Sequence, residues 1–375
     1  MDINKKALKL HKDLKGKIYT GLKGEVNAET LALFYSPGVA EASRYATLNP
    51  KKLKEVSGTH NTVAIVSDGS AVLGLGDIGP HGAFPVMEGK AMLFKHFADV
   101  DAVPIILDVH EPDEIVAAVK AIAPSFGGIN LEDIAAPKCF EIEERLKNEL
   151  DIPVMHDDQH GTAIVVLAGL INAMKVVDKK LSETKIVLVG AGAAGVAIAK
   201  LLHQYANPNI VVVDSKGIIE PSRKDLNEEK VRIMSYSHDQ KSGSLEDALT
   251  DADIFIGVSK AGLLKPEMVK LMADNPVVFG LANPTPEIMP DVAIKAGVAV
   301  IATGRSDFPN QINNVLGFPG IFRGALDNDV TKITDDHKLA AAEAVAKLVK
   351  KPTANKIIPG PFDKGVVEAV SKSIT

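Results

Sequence analysis

Tryptophan is absent from these 375 residues, cysteine occurs once, and aromatic residues make up only 5%. A lone thiol, Cys139, cannot close an internal disulfide, which excludes a disulfide-stapled scaffold and fits a reducing compartment. It reads as a buried filler before it reads as a nucleophile. No run of five or more basic residues accompanies the formal charge of −6, so neither nucleic acid nor an anionic membrane is an expected partner. A small-molecule ligand is favoured. Long apolar runs are missing too: the longest, residues 162–173, falls short of the roughly 20 residues a membrane-spanning helix needs and reads as a buried helix. The opening residues lead into charged, helix-like sequence with no apolar core for a secretory signal, so the expected location is the cytoplasm. No internal repeat or low-complexity stretch is visible, which sets repeat architectures aside.

Present instead is ordinary globular composition, 46% hydrophobic and 24% charged, over a length that suits two domains sharing a cleft. In the first half, residues 62–67 and 103–109 are short β-branched runs, and helical patterns lie near 86–97 and 112–122. Alternating strands and helices imply a mostly parallel sheet. A second unit follows the helix of residues 161–177, with a strand at 185–189, a helix at 194–206 and a strand at 210–213. Further strands are predicted at 254–258, 277–281 and 298–302, separated by helices near 265–273 and 290–296. The expected fold is α/β: a smaller N-terminal α/β domain (1–160), a Rossmann-type doubly wound domain (161–330), and C-terminal helices (331–375) near 334–350 and 364–373 that pack back on the first domain. Residues 215–250 are polar and weakly periodic. They read as a surface excursion carrying little function.

Gly190-Ala191-Gly192-Ala193-Ala194-Gly195 follows a predicted strand and opens a predicted helix, the context a G-x-G-x-x-G pattern needs before it carries meaning. Gly190 suits the tight turn, Gly192 the approach of backbone to a pyrophosphate, and Gly195 the close packing of helix on strand. Backbone N–H groups at the helix start, at Ala193 and Ala194, then face the phosphates. Asp214, 19 residues after Gly195, ends the next strand, where a carboxylate can accept from both ribose hydroxyls. Asp214 favours NAD, whereas Ser215 and Lys216 beside it could bind a 2′-phosphate. The choice between NAD and NADP stays open.

Three acidic clusters precede this unit: Asp77 in a glycine-rich stretch, the pair Glu132-Asp133, and the pair Asp157-Asp158. Adjacent carboxylates repel, and placing them at the ends of short apolar runs is costly unless a cation neutralises them. All-oxygen ligands suit Mg²⁺ or Mn²⁺. The competing reading is that Asp158 caps the helix that follows and the other acids face solvent. His156 and His160 read as hydrogen-bonded structural residues.

The motifs Tyr35-Ser36-Pro37-Gly38-Val39-Ala40, Asp68-Gly69-Ser70-Ala71-Val72-Leu73-Gly74-Leu75-Gly76-Asp77, Pro85-Val86-Met87-Glu88-Gly89-Lys90, Leu131-Glu132-Asp133, His156-Asp157-Asp158-Gln159-His160-Gly161-Thr162-Ala163, Ala282-Asn283-Pro284-Thr285 and Asn313-Asn314-Val315-Leu316-Gly317-Phe318-Pro319-Gly320 occur in this order. Over essentially its full length the chain resembles the short bacterial and archaeal class of malic enzymes. That resemblance implies oxidative decarboxylation of malate to pyruvate with NAD or NADP, dependent on Mg²⁺ or Mn²⁺, in a homodimer whose N-terminal segments are exchanged between subunits. It assigns Tyr35 as general acid, Lys90 as general base, and Glu132, Asp133 and Asp158 as metal ligands. Asn283, Asn313 and Asn314 would contact substrate and nicotinamide, and Asp157 would support Lys90 or the metal. Read without the resemblance, Tyr35 is a turn residue, Lys90 a solvated helix lysine and Asn283 a turn former.

One departure is that larger relatives carry an arginine for a malate carboxylate where Ala71 stands. Lys90, Arg44 or a partner-subunit residue remains to fill that role. A base of this kind must be neutral, so Lys90 is expected to have its pKa depressed from about 10.4 toward 7 to 8. Competing readings are an oxaloacetate decarboxylase on the same scaffold, a non-catalytic nucleotide sensor, and a malolactic enzyme. The last is disfavoured because such proteins resemble the longer class.

Overall fold

The computed structural model describes residues 3–14, 16–72, 74–238 and 241–375; Met1, Asp2 and Leu73 lie outside them. Two parallel sheets organise the chain. The first contains β1 (Thr62–Ser67), β2 (Asp101–Ile106), β3 (Gly128–Leu131) and β4 (Val154–His156) in the order β2-β1-β3-β4. The second contains β5 (Lys185–Val189), β6 (Asn209–Asp214), β7 (Gly217–Ile218), β8 (Ile254–Gly257), β9 (Val277–Gly280) and β10 (Val300–Thr303) in the order β10-β9-β8-β5-β6-β7. Among the described residues only strand β7 runs antiparallel to its neighbour. The strands of the second sheet are nearly continuous apolar runs because helices cover both faces, as parallel sheets require.

The second expected strand, 103–109, is shifted: β2 pairs from Thr62↔Asp101 to Ser67↔Ile106. Its partner β1 ends at Ser67, so beyond Leu107, whose N–H donates to Ser67 O at 2.9 Å, no ladder remains to hold it.

The helices are α1 (Ile3–Leu14), α2 (Ala28–Phe34), α3 (Val39–Leu48), α4 (Leu53–Val56), α5 (Gly79–Ala98), α6 (Pro112–Ile122), α7 (Lys138–Glu149) and α8 (Asp157–Val177) in the first half. The second half adds α9 (Ala193–Ala206), α10 (Glu228–Met234), α11 (Leu245–Leu249), α12 (Pro266–Val269), α13 (Pro290–Lys295), α14 (Phe318–Asp327), α15 (Asp335–Lys347) and α16 (Val366–Ser371). Helix α8 joins the halves, so residues 160 and 161 fall inside its first two turns rather than at a break. It is long and apolar enough to span a membrane, yet most of it is buried within the protein, packed on α9 and α15. Buried Asn172 of α8 donates to Ala346 O and Ile357 O at 2.8 and 2.9 Å, which ties the C-terminal stretch to this helix. Phe318 and Phe322 of α14 close on Phe94 of α5, with ring centroids 4.7 and 5.5 Å apart, and α16 packs on α14. One apolar core therefore runs from the first sheet through α8 to the inner face of the second. By contrast α1 to α4 bury no residue.

Candidate active site

In open parallel sheets the strand order reverses at one point, and ligands bind beyond the carboxyl ends of the strands there. In the first sheet that rim is acidic. Glu132 and Asp133 follow β3, and Asp157 and Asp158 follow β4 as the first turn of α8, where the helix dipole favours negative charge. Asp133 takes a left-handed φ of 53°, a conformation that short polar side chains tolerate, and its N–H donates to Asp158 Oδ2 at 2.8 Å. The turn thus brings carboxylate oxygens of Glu132, Asp133 and Asp158 within 4.8 Å of one another.

Lys90, on α5, is buried beside them. Its Nζ donates to Glu132 Oε1 at 2.9 Å and to Asp157 Oδ2, and stands 3.8 Å from the ring centroid of Phe318. Asn314 Nδ2 donates to the same Asp157 oxygen at 2.5 Å. Asn130, buried in β3, donates to Glu132 Oε2 at 2.9 Å. The structure thus brings together Lys90, Glu132, Asp133, Asp157, Asp158 and Asn314. Asp77 is exposed and caps its own turn through the Gly79 N–H.

One lysine does not balance four carboxylates. Burial, reinforced by Asp158, Asp157 and Asp133, raises the Glu132 pKa well above the ordinary carboxylate range despite Lys90. Asp158 is held lower than usual: burial opposes this, but contact with His156, whose Nε2 lies 3.1 Å away, prevails. A buried Asp157 oxygen, Oδ1, has no hydrogen-bond partner among the described residues. Converging oxygens, excess negative charge and an unmet acceptor fit a hard divalent cation held by Glu132, Asp133 and Asp158.

The expectation of a neutral Lys90 is not met by the protein groups alone. Burial pushes its pKa down, but Asp157 and Glu132 together outweigh burial and raise it. Two anions at contact distance favour the ammonium more than desolvation disfavours it.

His156 and His160 make hydrogen bonds within the protein. Both are buried in a network around Glu143, which accepts from the His156 N–H at 3.0 Å and pairs with His160 Nε2 at 2.8 Å. Burial pushes the His160 pKa down to about 4 despite this carboxylate.

The glycine turn lies between β5 and α9. Gly190 has φ 117°, and a Cβ there would meet Val258 O at 2.8 Å; one at Gly195 would run into Gly190 O. At Gly192, which precedes Ala193 and Ala194 at the head of α9, a Cβ would meet nothing within 4 Å. Close packing on one side and an open cradle on the other fit a dinucleotide pyrophosphate. Asn283 follows β9, and a Cβ on Gly74 of the first domain would come within 3.3 Å of its carbonyl oxygen, so loops of the two halves meet here. Asn313 uses its Oδ1 to accept the Val315 N–H at 2.9 Å.

Tyr35 lies apart from the Lys90 cluster within one chain, and residues 215–250 hold more ion pairs than a plain surface excursion would. Tyr35 is 69% exposed at the end of α2 and, among the described residues, makes no side-chain contact with Lys90 or the acids; a short helix with no buried face leaves it there. Residues 215–250 are also not empty of interest. They supply Arg223 and Lys230, which bind Asp214: Arg223 donates to its two oxygens at 2.9 and 2.8 Å, and Lys230 lies 2.9 Å away. These pairings overcome burial and hold Asp214 at about 2. Sequence reasoning missed both residues, and the only signal was the basic content downstream of Asp214. Arg44, one candidate for the second malate carboxylate, is exposed and paired with Glu41.

Fold and site together define a class: a two-sheet α/β protein with a dinucleotide-type turn on one sheet and a buried acidic cluster on the other. Family models agree, with residues 13–147 matching the malic enzyme N-terminal domain and 159–374 the malic enzyme NAD-binding domain. A bifunctional malic/malolactic enzyme of Bacillus subtilis strain 168 is 55% identical over all of this chain and 92% of its own length. An NAD-dependent malic enzyme of Geobacillus stearothermophilus is also 55% identical, over 96% of this chain and 76% of its own. The crystal structure of an NAD-dependent malic enzyme from Thermotoga maritima superposes with a TM-score of 0.95 at 52% identity, covering 98% of each chain. The chain belongs to the malic enzyme family. The expectation that malolactic proteins resemble only longer chains does not hold for the Bacillus relative, which this chain covers almost entirely.

Proposed function

We propose that this protein oxidises and decarboxylates (S)-malate to pyruvate and CO₂ with reduction of NAD or NADP, in the cytoplasm and with a divalent metal. The observation that carries the reading is buried Lys90 bonded both to Glu132 of the acidic trio and to Asp157. A cation at Glu132, Asp133 and Asp158 would supply Lewis acidity at the malate C2 oxygen, and NAD(P) would accept the C2 hydrogen as hydride. Lys90 Nζ moves the C2 hydroxyl proton. Asp157, braced by Asn314, fixes Nζ in position, and the Phe318 ring closes its other side to water. Lys90 must shed a proton to act, and positive charge delivered to Glu132 is what would release it.

Tyr35 is the proton donor to C3 after decarboxylation, acting on the site of a partner subunit. Helices α1 to α4 bury nothing within one chain, yet present Leu8, Phe34 and Leu48 at 59 to 80% exposure, with Leu22 of the α1–α2 connection at 82%, as expected of a segment that packs on a second copy. Mixing Tyr35→Phe and Lys90→Ala subunits, each inactive alone, should restore about a quarter to a half of wild-type turnover in hybrid dimers. No recovery would remove the exchange.

Malate-dependent reduction of each cofactor, assayed with Mn²⁺ and again with EDTA, tests the whole reading. The expected result is reduction that EDTA abolishes. Decarboxylation of oxaloacetate without any malate-dependent reduction would favour the decarboxylase alternative.

A further inference from the structure

A second charged cavity lies between the two halves of the chain, behind the first turns of α8. It holds about 470 Å³, the size of a small-molecule pocket, and is walled by α7 of the first half and by α9, α10 and α15 of the second. Its floor is polar and buried: Glu143, Gln159, His160 and Lys338 are each at most 8% exposed. Glu143 is fully engaged, by the His156 N–H, Gln159 Nε2 and His160 Nε2, with Lys147 Nζ 3.6 Å away. Lys338 is not. Its ammonium carries three donors and, among the described residues, meets one acceptor, Asp335 Oδ1 at 2.8 Å. Burial and the neighbouring Lys147 push its pKa down, as befits an ammonium short of negative charge. A buried cation with unused donors is costly unless a further anion supplies acceptors.

The cavity has two positive poles. Lys200 of α9 shares Asp335 with Lys338, at 2.7 Å, so Lys147, Lys200 and Lys338 gather around Asp335 and Glu143. Arg232 of α10 stands instead over Phe140, its Cζ 5.9 Å from the ring centroid, and pairs with no carboxylate among the described residues. Phe140 and Lys147 are two turns apart on α7, which separates the poles by about 10 Å. Exposed Glu144 is the one further acid on the wall, so four cations against Glu143, Glu144 and Asp335 leave one positive charge. This place is distinct from the dinucleotide cradle. Asp214 ends β6, whereas the far end of the α10 wall reaches the start of that strand, where Ser237 Oγ and the His238 N–H donate to Ile210 O at 2.9 and 3.1 Å.

We propose that this cavity binds a small organic phosphate that also carries a carboxylate, with the phosphoryl group at Lys147, Lys200 and Lys338 and the carboxylate at Arg232. Three ammonium groups around one point suit the oxygens of a phosphoryl dianion, and a planar guanidinium with no partner suits a carboxylate taken bidentately. Val196 and Ala197 of α9 line the same cavity and offer an apolar wall to the carbon chain. Inorganic phosphate would serve only one pole. The site stands apart from the malate chemistry, since Lys147, Lys200, Arg232 and Lys338 form no ion pair with Glu132, Asp133, Asp157 or Asp158. A ligand held there bridges the two halves of the chain.

The test is calorimetric titration of the full-length protein in EDTA, with excess NADH present to occupy the glycine turn. Phosphoglycolate is the probe, and glycerol 3-phosphate, which has the phosphoryl group without the carboxylate, is the control. Wild type should bind phosphoglycolate about fivefold more tightly than glycerol 3-phosphate, the upper end for an exposed ion pair, and added salt should shrink that advantage. Arg232→Ala should make the two ligands equal and leave malate turnover without added phosphate unchanged. Lys338→Met should weaken both ligands at least about tenfold, because it removes a buried charge-assisted contact. Should Lys338→Met not fold, Lys147→Ala carries the same comparison. Failure of wild type to bind either ligand, or binding that the lysine variants leave unchanged, would overturn the proposal. A preference for phosphoglycolate that survives Arg232→Ala would overturn the two-pole arrangement and with it the ligand class.

Discussion

The clusters at the ends of β3 and β4 and at the end of β6 use the same ingredients, aspartate or glutamate with lysine or arginine, and are balanced in opposite senses. Around Lys90 four carboxylates share one ammonium in the buried interior. Around Arg223 three cations share two carboxylates, of which Asp214 is largely buried and Asp225 part-exposed. The first arrangement costs stability unless a further cation enters, so it is built to bind one. The second is satisfied as it stands. The sign of the charge excess, more than the number of ion pairs, separates a cluster that recruits a cation from one complete in itself.

Breaking the first cluster should have the larger effect. Lys90→Met removes the cation and leaves Glu132 and Asp157 buried together, an uncompensated arrangement worth about 3–5 kcal/mol of lost stability. Urea unfolding should register that loss in EDTA, and Mn²⁺ should recover part of it by restoring positive charge at Glu132. Malate oxidation should stay undetectable in both conditions. If Lys90→Met costs no more than Arg223→Ala, the contrast between the clusters has no energetic content.

Metal supply sharpens the same contrast at intermediate size. At a free Mn²⁺ concentration about a hundredfold above its Kd, wild type should gain about 2.7 kcal/mol by linkage. Asp158→Asn withdraws one of three ligand carboxylates and should show less than half that gain at the same concentration, read as the shift of the thermal midpoint. An equal shift in both proteins would take Asp158 out of the site. Arg223→Ala, at the other cluster, should leave the metal-induced shift unchanged.

The two clusters also differ in how far the sequence revealed them. Strands β1 and β5 were readable because short runs rich in β-branched residues end in Ser67 and Gly190, and the glycine spacing located the turn after β5. The acids at 132–133 and 157–158 were readable as pairs that needed neutralising. Their strands were not: β3 has four residues and β4 three, too few for a period, although each pair directly follows such a run. The Arg223 cluster was invisible for another reason. Its members sit in polar sequence with neither helical nor strand periodicity, and their meeting at Asp214 depends on the two-residue strand β7 folding the chain back. Tyr35 was legible as a motif residue, but its exposure follows from the absence of a buried face on α2, which depends on what packs against it.

The smallest expected effect is the stability of the Arg223 pair itself. Arg223→Ala should cost about 1.5 kcal/mol, the scale of a hydrogen bond to a charged group, and less than Lys90→Met because Lys216 and Lys230 remain beside the two carboxylates. Its pH dependence has a definite sign. Burial works to raise the Asp214 pKa, but Arg223, Lys230 and the Lys216 N–H pull it from the ordinary 3.8 down to about 2. A depressed carboxylate contributes stability that is present above its unfolded value and is lost as pH falls through the folded one. The wild-type advantage over Arg223→Ala should therefore be flat from pH 7 to pH 5 and narrow below about pH 4, measured by urea unfolding at each pH. An advantage that instead widened on acidification would mean that Arg223 acts through packing, and the charge balance drawn around Asp214 would not govern that end of the sheet.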